Sequence, residues 1–183
     1  YDEVVEIARR AAEATAVGNP EEEGDHIGPL FDQIQFDRVQ NMIQVGIDEG
    51  ATLLVGGLGR PEGFDVGWYV RPTVFSDVNN TMRIAREEIF GPVLAIIPFD
   101  DEEAAVEIAN DTPYGLAAYV QTGSPERAAR LSRSLRAGAV HINGGAYEYG
   151  SPFGGYKASG NGREGGEMGL EDFLETKMVH GLA

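Results

Sequence analysis

Between Val93 and Ile142 the chain alternates apolar and amphipathic runs in a way that few folds accept. Val93 to Phe99 is continuously apolar apart from Pro98, the pattern of a strand buried on both faces of a sheet. Asp101 to Asn110 has helical spacing, Leu116 to Gln121 reads as a strand, and Ser124 to Leu135 as a helix. Ser124 is placed to cap that helix, with Pro125 in its first turn. Gly138 to Ile142 is a further strand. A helix between successive strands, with connections of only a few residues, implies right-handed crossovers and a parallel sheet with helices packed on it. The fold class is α/β, a mostly parallel sheet flanked by helices.

The flanking segments fit that reading. Tyr1 to Ala16 repeats Val4, Ile7, Ala8, Ala11 and Ala14 at helical spacing, opposite Asp2, Glu6, Arg9 and Glu13. Gly18-Asn19-Pro20 ends the helix, and the acidic stretch to Asp25 is a loop. A second helix is expected from Gln33 to Asp48, burying Phe36, Val39, Ile43 and Ile47, with Gly50 terminating it. Thr52 to Val55 reads as a short strand. Trp68 to Phe75 reads as another, at an edge or irregular because of Pro72. Met82 to Glu87 is one or two helical turns. The glycine-rich stretch from Gly144 to Gly165 leads to a short helix over 164–174 and a closing strand over 176–181. With 183 residues, the whole chain is expected to be a single domain, long enough to bury roughly 70% of its unfolded surface.

Charge and composition narrow the chemistry. The net charge is −16, and residues 1–50 carry twelve acids against three arginines. Such a surface repels phosphate backbones and anionic bilayers, so neither nucleic acid nor a membrane is the expected partner. There is no cysteine, which excludes disulfides, thiolate metal sites and a thiol nucleophile within these residues. Three scattered histidines, His26, His141 and His180, do not make a zinc site, and no metal is expected. No apolar run approaches the ~18 residues of a membrane span. The chain opens at Tyr1, inside a helix, and is expected to be a piece of something longer.

Two motifs that are present and one that is absent bear on function. Gly160-Asn161-Gly162-Arg163-Glu164-Gly165 is a literal G-x-G-x-x-G. A phosphate-cradling version should follow a buried strand and precede an acidic residue about twenty positions on. Here glycine, lysine and serine precede it and the chain is ending, so a structural glycine loop is favoured. Serine hydrolase chemistry lacks a G-x-S-x-G elbow. Glu87-Glu88-Ile89-Phe90-Gly91-Pro92 leads into the apolar strand. Composition alone makes Glu88 a solvated loop acid, yet beside an aromatic ring it could also offer a carboxylate to a diol.

That segment resembles the E-E-I-F-G-P-V of the NAD(P)-dependent aldehyde dehydrogenase superfamily. Asn110 to Leu116 (N-D-T-P-Y-G-L), Pro152 to Gly160 (P-F-G-G-Y-K-A-S-G) and Gly162-Arg163-Glu164 resemble further family segments in the same order. Arg71-Pro72-Thr73-Val74 resembles its P-T-V. The resemblance runs over essentially the whole chain. It implies that Glu88 hydrogen-bonds the ribose hydroxyls of the nicotinamide half of NAD or NADP and that Phe90 packs near the nicotinamide. It also implies that Phe153 stands beside a substrate tunnel, which Tyr147 lines as well. In this family a cysteine thiolate attacks the aldehyde, hydride passes to the nicotinamide, and a glutamate-activated water hydrolyses the thioester. The cysteine segment lies shortly before the helix that opens this chain, and the general-base glutamate and dinucleotide-binding domain lie earlier still.

The resemblance thus implies the C-terminal part of an aldehyde dehydrogenase catalytic domain, with no catalytic residue of its own and inactive alone. It further implies a small aldehyde as substrate, a cytoplasmic location and a homo-oligomeric parent, dimer or tetramer, with Lys177 to His180 leading toward an inter-subunit sheet. The alternative is a non-catalytic binding or interaction module that retains the fold; the pair Glu88 and Phe90 argues against it.

Overall fold

The computed structural model describes residues 1–181. They fall into two compact units, Tyr1–Phe99 and the residues from Asp100 onward, and each is taken by itself.

The first unit opens with α1 (Asp2–Ala14). The Tyr1 hydroxyl anchors its start, accepting from the Asp77 N–H at 2.7 Å and donating to Asp77 Oδ1 at 3.1 Å. None of its residues is fully buried; Val5, Ala8 and Ala12 turn partly inward, while Val4 and Ile7 stand half or more exposed. The expected stripe is therefore mostly on the surface. Periodicity marks a face that prefers cover, and only contacts decide whether the same chain supplies it. A pair of two-residue parallel strands follows, β1 (Ala16–Val17) and β2 (His26–Ile27), too short to leave an alternation in the sequence.

The core of this unit is α2 (Gln33–Asp48) packed on a sheet. Asp32 caps the helix, its carboxylate accepting from the Gln35 N–H at 2.8 Å. At the other end Gly50, at φ +88°, donates to the Ile47 carbonyl and Ala51 donates to that of Gly46. This pair of bonds satisfies carbonyls that the helix leaves free, and its left-handed residue favours glycine. The buried face is Val39, Met42, Ile43 and Gly46; Phe36 is only partly buried and Ile47 is exposed, so the inward stripe is rotated from the expected one. Gly46 lets the sheet approach, because a Cβ there would meet Ile84 at 3.0 Å and Phe75 at 3.1 Å.

The sheet runs β3 (Thr52–Val55), β4 (Thr73–Ser76), β5 (Val93–Ala95), with β3 antiparallel and β5 parallel to β4. β4 is central and wholly buried, whereas Pro72 suggested an edge. Proline falls one residue before the ladder, so its missing N–H costs no bond. The expected strand from Val93 to Phe99 shrinks to three residues, with Leu94 half exposed, and it joins this sheet rather than leading the later strands. A short helix, α3 (Arg83–Arg86), packs against α2 with Ile84 buried. Fully burying a side chain such as Phe75, Ile43 or Val39 is worth ~1.5–3 kcal/mol.

The second unit contains α4 (Glu102–Asn110), β6 (Ala117–Val120), α5 (Pro125–Ser134) and β7 (Ala139–Ile142). β6 and β7 pair in parallel, Ala117 with Ala139 through Val120 with Ile142, as the strand–helix–strand pattern requires. Ser124 caps α5 and Pro125 opens it, as read from the sequence. Asp101 caps α4 in the same way. The two helices are joined by Glu102, which takes bonds from Arg127 at 2.9 Å and Arg130 at 2.6 Å. A 3-10 turn (Lys157–Ser159) and α6 (Gly166–Glu171) complete the unit. Residues 176–181 form no strand, in contrast to the expected closing one, and all are exposed. A strand needs a partner for its backbone groups, and these residues meet none among those described.

Candidate cofactor and substrate sites

Glu88 and Phe90 flank Ile89, which is 8% exposed and plugs into the core of the first unit. The two neighbours are thereby left on the surface, Phe90 63% exposed. The loop that carries them is fixed from both sides. Glu87 is bound by Arg83 at 2.8 and 3.2 Å, which holds its carboxyl below the usual carboxylate range. The Glu88 carbonyl accepts from Arg38 of α2 at 2.7 Å. Downstream, the Pro92 carbonyl accepts from the Thr73 N–H at 2.8 Å. Between these anchors Phe90 sits at φ +59°, in the left-handed region that a bulky side chain rarely enters. An exposed carboxylate and an exposed ring two residues apart, on a loop this constrained, suit a group with vicinal hydroxyls next to a flat heteroaromatic ring.

Tyr147 and Phe153 lie in the second unit, which brings them together edge to face, 6.3 Å apart at 81°. Both are about half exposed. With Leu116, Tyr119 and His141 they line an open groove of about 980 Å³. The Tyr119 and His141 rings stack at 4.9 Å across β6 and β7. Phe153 is held through its backbone, exchanging two 2.7 Å bonds with Glu164. The Tyr147 hydroxyl donates to the Ser151 carbonyl. An aromatic groove with few charges suits an apolar or aromatic small molecule.

The remaining motif residues brace the loops around this groove. Lys157 Nζ donates to the carbonyls of Asn110 at 2.7 Å and Thr112 at 3.0 Å, pinning one glycine-rich segment to the end of α4. Ser159 Oγ accepts from the Gly115 N–H at 3.0 Å. Asn110 reaches the end of α5, donating to the Ser134 carbonyl and accepting from the Arg136 N–H. Arg163 donates to the carbonyls of Gly155, Asn161 and Gly162 and lies over the Tyr156 ring at 5.5 Å. These positioning side chains were quoted in the sequence only as parts of motifs. Arg38 left no local signal, because its partner lies 50 residues away.

The G-x-G-x-x-G loop is structural. Its Arg163 N–H is taken by Asp172 and its Glu164 N–H by Phe153, both at 2.7 Å, so neither can cradle a phosphate. Gly160 and Gly165 supply positive φ angles, and α6 is six residues long. Among the described residues no three His, Cys, Asp or Glu side chains gather to hold a metal ion, and no helix is long and apolar enough to cross a membrane.

Residues 1–179 match the model of the aldehyde dehydrogenase family, and the chain belongs to that family. A 3-succinoylsemialdehyde-pyridine dehydrogenase from a Pseudomonas species is 53% identical over 180 residues, 98% of this chain and 38% of that protein. An aldehyde dehydrogenase from Bartonella henselae superposes with a TM-score of 0.94 at 51% identity, covering 97% of this chain and 37% of that one. Aldehyde dehydrogenase C from Pseudomonas syringae, solved as a cysteine-to-alanine variant with NAD+ and octanal, gives a TM-score of 0.96 at 52% identity. It covers all of this chain and 38% of its own. The chain thus spans little more than a third of the length of these relatives.

Proposed function

We propose that this chain supplies the cofactor-orienting loop and part of the aldehyde-binding surface of an NAD(P)-dependent aldehyde dehydrogenase. On this reading residues 1–183 are one continuous C-terminal part of its catalytic domain. The observation that carries the proposal is the 87–92 loop, which holds Glu88 and a strained Phe90 on the surface by four separate anchors. Glu88 would accept from the ribose hydroxyls and Phe90 would pack against the nicotinamide. When bound, the nicotinamide supplies a hydride acceptor for aldehyde oxidation; this chain's part is to orient it. Phe153 and Tyr147 would wall the aldehyde's path, and octanal in the Pseudomonas syringae relative is an aldehyde of suitably apolar character.

The sequence contains no cysteine, so thioester chemistry requires a thiol that these residues do not provide. The 183-residue chain alone should therefore form no NADH or NADPH from aldehyde. Measurable aldehyde-dependent formation by the pure chain would overturn this. In the complete enzyme, Glu88→Gln should raise the KM for NAD+ about tenfold, the effect of weakening one charge-assisted bond worth ~1.5 kcal/mol. An unchanged KM would remove Glu88 from the cofactor site. The parent is expected to be a cytoplasmic homo-oligomer; sedimentation of the complete enzyme checks the assembly, and fractionation of the source cells checks the location.

A further inference from the structure

Phe90 keeps a left-handed backbone although it carries a bulky side chain, and such strain persists only where the surroundings over-determine it. Two consecutive residues of α2 do this from opposite ends of the turn. Arg38 reaches out along the surface and donates to the Glu88 carbonyl at 2.7 Å. Val39, fully buried, presses on Gly91: a Cβ at that glycine would sit 2.7 and 2.8 Å from the two Val39 methyls. Ile89 pins the middle in the core. Residues 88–91 of the loop are therefore templated by one turn of a helix some 50 residues earlier in the chain.

We propose that Arg38 and Val39 are positioning residues for the cofactor site, setting the backbone from which Glu88 and Phe90 project. The proposal rests on the reading of Glu88 and Phe90 given above. Arg38 acts through the Glu88 main chain, so its contribution passes through that residue. An exposed helical arginine with no such task could be replaced with the KM for NAD+ unchanged within about twofold.

The test is a double-mutant cycle in the complete enzyme that carries this sequence, with NAD+ varied at fixed octanal. Arg38→Met keeps helix propensity and stem volume while removing the donor. It should raise the KM for NAD+ about fivefold, more than it lowers kcat, while the KM for octanal moves less than twofold. Arg38→Lys should recover most of the loss, because an ammonium can still reach a carbonyl. The pair Arg38→Met with Glu88→Gln should be no worse than Glu88→Gln alone within about twofold. Multiplying effects would overturn the proposal, since Arg38 would then act independently of Glu88. A wild-type KM in Arg38→Met beside a raised one in Glu88→Gln would overturn it too. If Glu88→Gln itself leaves the KM unchanged, the cofactor reading fails. The clamp is then judged by the φ of Phe90 in a crystal structure of Gly91→Ala: departure from the left-handed region supports it, and retention overturns it.

Discussion

The two units are built from the same kinds of element and are held by different forces. Among the described residues, eleven of the twelve buried apolar side chains belong to the first unit; Val120 is the second unit's only one. Neither α4 nor α5 contains a fully buried residue. In place of a core the second unit has side chains that donate to backbone carbonyls, Lys157, Asn110 and Arg163, and glycines at close backbone crossings. The first unit is thus an ordinary case of apolar burial, whereas in the second, hydrogen bonds from side chains to carbonyls fix the segments that join its helices and strands. Loops that shape a binding groove need defined backbone positions more than bulk, which polar braces provide.

The sharpest challenge to this contrast is Phe75→Ala. Emptying a site with 0% exposure should cost about 3–5 kcal/mol, read as a lower denaturant midpoint in the fluorescence of Trp68, the single tryptophan. A loss below 1 kcal/mol would mean the first unit does not depend on its core. Next is Gly138→Ala, whose new Cβ would collide with the Gly154 carbonyl, a backbone atom that cannot swing aside. About 3 kcal/mol of destabilisation is expected, appearing as faster amide exchange in β6 and β7 while β3 to β5 stay protected. Equal loss in both sets would show that the units do not respond separately. Lys157→Met should cost ~1–2 kcal/mol by removing two bonds to carbonyls, again confined to exchange in the second unit.

The smallest effect is electrostatic. Hydrogen bonds from Thr52, Ser76 and Tyr1 hold the Asp77 carboxyl below its ordinary value, and bonds from Arg130 and Arg127 do the same for Glu102. A folded-state value below the unfolded one gives stability that is present above the unfolded value and lost as pH falls through the folded one. The urea midpoint should therefore fall below about pH 4. Asp77→Asn should flatten that fall for the first unit and leave the acid sensitivity of the second unchanged. A parallel shift of both would contradict the assignment.

Much of this was legible in the sequence wherever a local signal existed. Ser124-Pro125 announced α5, the α2 period its helix, and the β6–α5–β7 alternation its parallel pair. The strand assigned to Val93 to Phe99 was overextended because an apolar run does not reveal its ladder partner, and that partner proved to be Thr73 to Phe75. The period of Val4, Ile7, Ala8 and Ala11 marks the α1 helix and does not say what covers its apolar face. Glu88, Phe90 and Phe153 could be marked as candidates from motif resemblance, and Tyr147 only from its place in the variable stretch ahead of the Phe153 motif. The anchors that hold the first pair, Arg38 and Val39, act across some fifty residues and leave no pattern in any window.

The β6–β7 sheet has a consequence for the chain as a material. Among the described residues β6 and β7 pair only with each other, so each strand has one side without a ladder partner, the kind of edge that an extended segment can join. At neutral pH a net charge of −16 keeps such encounters apart. Acidification neutralises the carboxylates that provide this repulsion while leaving the edges as they were. Colloidal stability of the isolated chain is therefore set by its glutamates and aspartates, which outnumber its lysines and arginines by thirty to fourteen.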